Sequence, residues 1–354
     1  MNPGSIWWGQ IGNSLRLLTK VTNNLRDCQS AVLQVPKSIP WRQDFFEAID
    51  IRRSAFSGER RLVRLTWEDG MDPGEFVLDE LCSNRVRADY WPGQTYAEYL
   101  GSKSELLMND YYVWVTGIHN KSDLSKWGDF VSQYHYVAKQ LESTAVFILE
   151  YDGTNTDVPG VEKIVYAVEN YDCRVFSLEA AAALGNTELR NYQAELALSI
   201  CDNNPELCFA LLMAGPKLLN NPVQATMEVT AGAYSSDGLP FLSFNEQQIQ
   251  SSAWEAAIVL LFPLLERYRM SFIDKSETEL ARHLPISNSN GDRVTDPRDL
   301  EIGALYYIVS SASKVFSATD VDAIRLCRKV RNLLAHNKFV PLDDVQKIYS
   351  KRQN

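Results

Sequence analysis

The apolar positions of this chain follow two different periods. In residues 10–27, QIGNSLRLLTKVTNNLRD, Ile11, Leu15, Leu18, Val21 and Leu25 recur at steps of three and four, which lines one face of a helix. Short β-rich runs follow at 31–35 (AVLQV), 61–67 (RLVRLTW), 111–118 (YYVWVTGI), 144–151 (TAVFILEY) and 163–168 (KIVYAV), with helical spacing at about 75–84 and 125–142 between them. Strands alternating with helices predict a mostly parallel sheet covered by helices, an α/β fold. From about residue 176 the pattern is helical. Residues 216–245 are rich in Gly, Pro, Ser and Asn, which predicts a boundary between domains. A long helix is expected over 246–282, kinked at Pro263 because proline has no N–H to give, followed by a loop and helices near 299–315 and 320–336.

The last of these helices has the sharpest pattern. At about 100° per residue, Ala323, Ile324, Cys327, Val330 and Leu334 form one apolar stripe with Leu326 and Leu333 at its margin. Thr319 with Asp322 three residues on is the expected cap. Arg325, Lys329, Asn332 and His336 gather on the other side, while Arg331 flanks the stripe, about 140° around the axis from His336.

Composition narrows the picture. The chain has 354 residues, 45% of them apolar, enough for a substantial core and two or three domains. Its formal charge of −10 argues against a general nucleic-acid coat, so a nucleic-acid site has to be a local patch. Residues 320–354 supply one, with eight Lys and Arg against four Asp. The six cysteines form no CxxC pair, so neither a zinc cluster nor a disulfide framework is indicated, and they read as reduced, mostly buried thiols. The N-terminus lacks the layout of a signal peptide, and the longest apolar run, AAIVLLFPLL at 256–265, is too short to span a bilayer. A cytoplasmic protein without a membrane association is the expectation.

The α/β half has the rhythm of a nucleotide-binding fold, but the chemistry is missing. A phosphate loop belongs directly after the first strand, where backbone N–H groups of the next helix cradle the anion. Here that place reads VPKSIPWRQDFF, with no G-x-x-x-x-G-K-[ST] there or elsewhere, and YYVWVTGI lacks a terminal acidic pair for Mg²⁺. Glu68, Asp69, Glu150 and Asp152 do follow strands and are read as structural or surface carboxylates in preference to metal ligands. His119 and His135 have no ligand-spaced partner and read as loop and packing residues. The cluster Arg52, Arg53, Arg60, Arg61 and Arg64 reads as a solvated face or a set of ion pairs, ahead of an RNA-contacting strip. Over roughly 1–235 the architecture resembles a degenerate AAA/STAND ATPase, P-loop-like without its Walker A motif; an unrelated α/β domain fits the same pattern. Neither implies ATP hydrolysis, a metal or a bound cofactor.

The run RNLLAH at 331–336 has chemistry in it. Imidazole titrates near neutrality, so His336 can move a proton at a ribose 2′-hydroxyl or a leaving oxygen. Arg331 offers a charged planar fork to a phosphate, and Asn332, one turn before His336, can orient the ring or bind a phosphate oxygen. Arg325, Arg328, Lys329 and Lys338 are the candidates for RNA contact. The same residues also suit the end of any helix, where the macrodipole favours cations. R-[N/D/H]-x-x-x-H near the end of the last long helix of a small bundle resembles the HEPN superfamily. AWEAAIVLLFPLLERYR, the LP at 284–285 and DPRDLEIGALYYIV at 296–309 resemble its Swt-type bacterial members. The resemblance implies an all-α bundle, homodimerisation through the motif helices, metal-independent ribonuclease activity, and a bacterial defence or stress role with a possible protein partner from the same operon. The expected organisation is an α/β ATPase-like domain (1–175), a helical lid-like region (176–235) and a HEPN bundle (246–354). The alternative is a non-catalytic scaffold in which both domains only bind.

Overall fold

The computed structural model describes residues 1–35, 38–56, 60–154, 158–185, 189–287, 291–312 and 315–350, arranged as two compact units. One comprises Asn2–Asp172 and Tyr234–Leu239; the other comprises Cys173–Ala233 and Pro240–Asn354.

The first unit is α/β, as the strand and helix periods predict. Its elements are α1 (Pro3–Gln10), α2 (Gly12–Arg26), β1 (Ala31–Gln34), α3 (Arg42–Arg53), β2 (Arg61–Thr66), α4 (Pro73–Leu81), α5 (Asn84–Ala88), α6 (Tyr96–Gly101), β3 (Tyr111–Ile118), α7 (Lys121–Val137), β4 (Val146–Tyr151) and β5 (Glu162–Val165). The five strands pair in parallel in the order β2-β3-β4-β1-β5. β4 is buried along its whole length, which is why its sequence is a continuous apolar run. The pleat sorts the side chains of β3: Val113 and Val115 join Phe147, Leu149, Trp127 and Phe130 on one face, while Trp114 meets Phe45 and Phe46 of α3 edge-on. Near its end β3 breaks register between Val115 and Ile118. Gly117 makes this possible with φ +84°, and a Cβ there would stand 2.9 Å from the Trp67 carbonyl oxygen.

Segment Tyr234–Leu239 is held as a tight turn, with Ser235 N–H donating to Leu239 O at 2.7 Å and Gly238 at φ +74°. Four of the five arginines of the cluster are engaged locally: Arg53 pairs with Asp50, Arg52 donates to Thr19, Arg60 lies over Tyr112 and Arg64 over Phe46, while Arg61 is exposed.

Asp123, buried at the start of α7, accepts from Trp67 Nε1 (3.1 Å), Lys126 Nζ (3.0 Å) and Asn120 Nδ2 (3.0 Å). Burial alone raises its pKa, but the three donors outweigh it and hold the carboxyl well below its ordinary range. A carboxyl depressed in the folded state contributes stability above its unfolded pKa of about 3.9 and loses that contribution as pH falls. The urea midpoint of the wild type is therefore expected to drop with acid from about pH 4 downward more steeply than that of Asp123→Asn. Parallel slopes for the two proteins would contradict this.

The second unit is helical: most of α8 (Asn170–Ala183), then α9 (Arg190–Ile200), α10 (Pro205–Met213), α11 (Pro216–Asn220), α12 (Pro222–Thr230), α13 (Glu246–Ala281), α14 (Ile302–Ser311), α15 (Ala318–Ala335) and α16 (Leu342–Ser350). α9, α12, α15 and α16 pack against α13, and α14 against α15. Residues 216–230, in the stretch whose composition predicts a domain boundary, are mostly helical. Asn221 caps α12 by accepting from Gln224 N–H, and Pro222 occupies the first helical position, where its missing N–H costs nothing. α13 continues through Pro263. The carbonyl that loses its donor belongs to Val259, whose side chain is exposed. Among the described residues no helix is long and apolar enough to cross a membrane. Cys173, Cys201, Cys208 and Cys327 are buried, Cys28 is exposed and Cys82 half-buried, and none of the six forms a disulfide.

Candidate functional site

α15 is built as its periodicity predicts. Ala323, Ile324, Cys327, Val330 and Leu334 are buried, and the charged residues face outward. The cap differs: Ser317, in extended conformation, accepts from Asp320 N–H at 3.1 Å, so Thr319 lies inside the first turn. At the other end, Asn337 takes the left-handed conformation (φ +53°). Its N–H donates to Leu334 O at 3.3 Å, and Lys338 N–H to Leu333 O at 2.9 Å. This paired arrangement ends a helix sharply. Trp254 of α13 donates its indole N–H to Leu334 O at 2.7 Å. His336 is therefore presented on a helix end fixed by three hydrogen bonds.

The cations of α15 divide into two groups. Arg325 pairs with Asp322 at 2.7 Å, and its hydrogen bond to Tyr306 holds that phenol below its ordinary pKa. Arg328 stacks over the Tyr306 ring at 4.7 Å, and Lys329 pairs with Asp344 at 2.6 Å. By contrast, the side chains of Arg331, Asn332, His336 and Lys338 are exposed and make no hydrogen bond or ion pair among the described residues. Lys351 and Arg352, part of the basic tally, lie outside the described residues, as do Pro36 and Lys37.

Arg331 and Asn332 line a cleft of about 350 Å³ with Phe262, Glu266, Arg269 and Glu301. Arg269 is committed within it, donating to Glu266 (2.9 Å) and to the carbonyls of Arg298 (3.2 Å) and Leu300 (2.9 Å), which fixes the turn before α14. Arg298, which also lines the cleft, pairs with Asp274 at 3.2 Å, so among the described residues Arg331 is the lining cation without a partner. His336 does not line this cleft. The residues after it, Asn337, Lys338 and Phe339, line a separate cavity of about 880 Å³. One copy of the chain thus places Arg331 and Asn332 on one cleft and His336 outside it, although around the helix axis Asn332 lies nearer to His336 than to Arg331.

The α/β unit has its own polar centre at the carboxyl end of the sheet, where ligands of open parallel sheets bind. Arg42, first residue of α3, donates through both terminal nitrogens to Glu150 at the end of β4, each at 2.8 Å, and through Nε to Asp237 at 2.7 Å. Glu150 also accepts from Trp114 Nε1 at 2.9 Å, and Asp237 from Ile39 N–H at 3.0 Å. Burial on its own lowers the Arg42 pKa, but its two carboxylate partners raise it above the ordinary value. Arg42, Glu150 and Asp237 line a cavity of about 350 Å³ distinct from the Arg331 cleft, and on its rim His119 Nδ1 and Asp152 Oδ2 meet at 2.8 Å. Asp69 accepts from Asn120 Nδ2 at 3.3 Å. At the opposite end of the sheet His135 Nε2 lies 2.7 Å from Ser30 Oγ, which accepts from Phe147 N–H, and burial lowers the His135 pKa. Among the described residues no group of three or more His, Cys, Asp and Glu side chains is placed to hold a metal ion.

Sequence reading missed Arg42, Trp114 and Asp237. Their separations in the chain, 108 residues from Arg42 to Glu150 and 195 to Asp237, give no local signal. No protein-family model matches this chain, and no curated protein matches it.

Proposed function

We propose that the helical unit is a HEPN-type, metal-independent endoribonuclease acting as a homodimer, and that the α/β unit is a P-loop-ATPase relative that docks or senses without hydrolysing nucleotide. One observation carries the first part. On a helix whose other cations are engaged by neighbours, the polar residues of the RNLLAH run, Arg331, Asn332 and His336, keep exposed side chains that make no hydrogen bond or ion pair among the described residues. The chemistry then needs only proton movement and charge stabilisation. The ribose 2′-oxygen attacks the adjoining phosphorus and gives up its proton to a base, the 5′-oxygen leaves with a proton, and Arg331 stabilises the charge on the phosphoryl oxygens. His336 is suited to either proton transfer. The divergence of Arg331 and His336 within one copy is resolved if two α15 helices meet across a two-fold axis. Exposed Val259 and Phe262, the latter lining the Arg331 cleft, supply apolar surface for such a seam.

For the α/β unit, the parallel order with β1 between β4 and β5 supports the ATPase likeness. Arg42, held by Glu150 and Asp237 after β1, argues against a phosphate cradle in working order.

The test is incubation of the purified protein with single-stranded RNA in EDTA. Cleavage with 2′,3′-cyclic phosphate ends, and no cleavage of the matching DNA, is expected. Inert protein, or cleavage of both nucleic acids alike, would remove the reading.

A further inference from the structure

The cavity of about 880 Å³ beside the end of α15 has a distinct inventory of unspent groups. Phe339, half-buried, and Met227 of α12, exposed, give it an aromatic and a thioether surface. Glu228 is already taken by Lys217 and Gln224. On α13, Glu246 Oε1 accepts from Gln250 Nε2 at 2.8 Å. Glu246 Oε2 and Gln250 Oε1, one turn apart, have no partner among the described residues and remain as two neighbouring acceptors. Lys338, two residues after His336, is an uncommitted cation lining the same cavity.

We infer that this cavity is a base-reading subsite that holds a guanine of single-stranded RNA next to the phosphate at which His336 acts. The inference rests on the ribonuclease reading for its choice of ligand. A nucleobase offers what the cavity lacks: a flat π face for Phe339 and Met227, an edge of N–H donors for the acceptor pair, and a backbone phosphate for Lys338. Among the four bases of RNA, guanine alone presents two adjacent donors, N1–H and the 2-amino group, on its Watson–Crick edge. Uracil presents a single donor between two carbonyls, which face the acceptors of Glu246 and Gln250 with like polarity. The volume accommodates a nucleotide, within the range of small-ligand sites.

The experiment measures binding rather than cleavage, so it stands apart from catalysis. Full-length His336→Ala protein is titrated by fluorescence anisotropy with labelled oligouridylate carrying one central guanosine, and with the same oligomer carrying uridine there. The guanosine oligomer is expected to bind about tenfold more tightly, the effect of one well-stacked and hydrogen-bonded base. Glu246→Gln in the same background should remove most of that difference and leave oligouridylate binding little changed, whereas Phe339→Ala should weaken both oligomers, since either base can stack on the ring. Glu246 is exposed at a helix start, so its variant keeps the fold even if Phe339→Ala does not. Equal affinity for both oligomers overturns the subsite, as does a preference that survives Glu246→Gln. Discrimination by a protein whose wild type cleaves no RNA supports the subsite and removes the ribonuclease reading. Cleavage indifferent to base does the reverse.

Discussion

His336→Ala protein is expected to fold as the wild type does and to cleave RNA about 10²- to 10⁴-fold more slowly, the usual cost of one essential proton-transfer or charge-stabilising group. The residue is exposed, and its backbone, which carries the helix cap, is untouched by the change. Arg331→Ala should fall as far. Arg331→Lys should recover little, because an ammonium cannot reproduce the planar fork. Asn332→Ala should keep part of its activity. Initial rates on end-labelled RNA measure all four. The arrangement of α15 adds a sharper test. Arg331 and His336 of one copy diverge, so a site built across the dimer takes each from a different chain. Co-expression of His336→Ala with Arg331→Ala chains should then restore activity that neither has alone, since each mixed dimer holds one intact pair. If the mixture stays as inactive as its components, the shared groove is wrong even where ribonuclease activity itself is real.

The largest loss of stability is expected from Glu150→Ala. The carboxylate is 8% exposed and takes both terminal nitrogens of Arg42 and the Trp114 indole N–H. Its removal leaves an arginine, 25% exposed, with a single acid and a buried donor with none. Breaking a buried pair from one side costs about 3–5 kcal/mol, and the loss here should approach the lower end, because Arg42 keeps only Asp237 and the buried Trp114 N–H is left without an acceptor. Asp237→Ala should cost less, since the Glu150 fork remains. Urea denaturation followed by tryptophan fluorescence reads both. A loss for Glu150→Ala below about 1 kcal/mol would mean the pair is solvated in solution, as surface pairs are.

What sequence could and could not reveal here follows the range of the forces involved. The strands announced themselves because β-branched and aromatic side chains fit a buried pleated surface, and Val146–Tyr151, buried throughout, is the plainest case. The stripe of α15 was readable residue by residue, since one helix face against α13 is all that its apolar spacing encodes. α12 has no apolar period that marks its bounds within the stretch rich in Gly, Pro, Ser and Asn, although Asn221 and Pro222 together make a cap and a first turn. α3 was lost behind the prolines of VPKSIP, although Phe45, Phe46 and Ile49 all turn inward. The Arg42 centre was out of reach altogether. Its acids lie 108 and 195 positions away, and nothing local records that pairing. At α15 the residue types of the candidate site were legible. Which of its cations are neutralised was not, because Tyr306 and Asp344 belong to other helices.

Segment Tyr234–Leu239 also bears on how the protein is made. It supplies Asp237 to a unit otherwise complete at Asp172, and Cys173–Ala233 intervenes in the chain. Synthesis is vectorial, so α9 to α12 leave the ribosome before the α/β unit has its last carboxylate. Until residue 239 has cleared the exit tunnel, Arg42 has Glu150 but not Asp237, and Ile39 N–H lacks its acceptor. The nascent α/β unit therefore waits, nearly finished, on a closure that comes only after most of the chain has been translated.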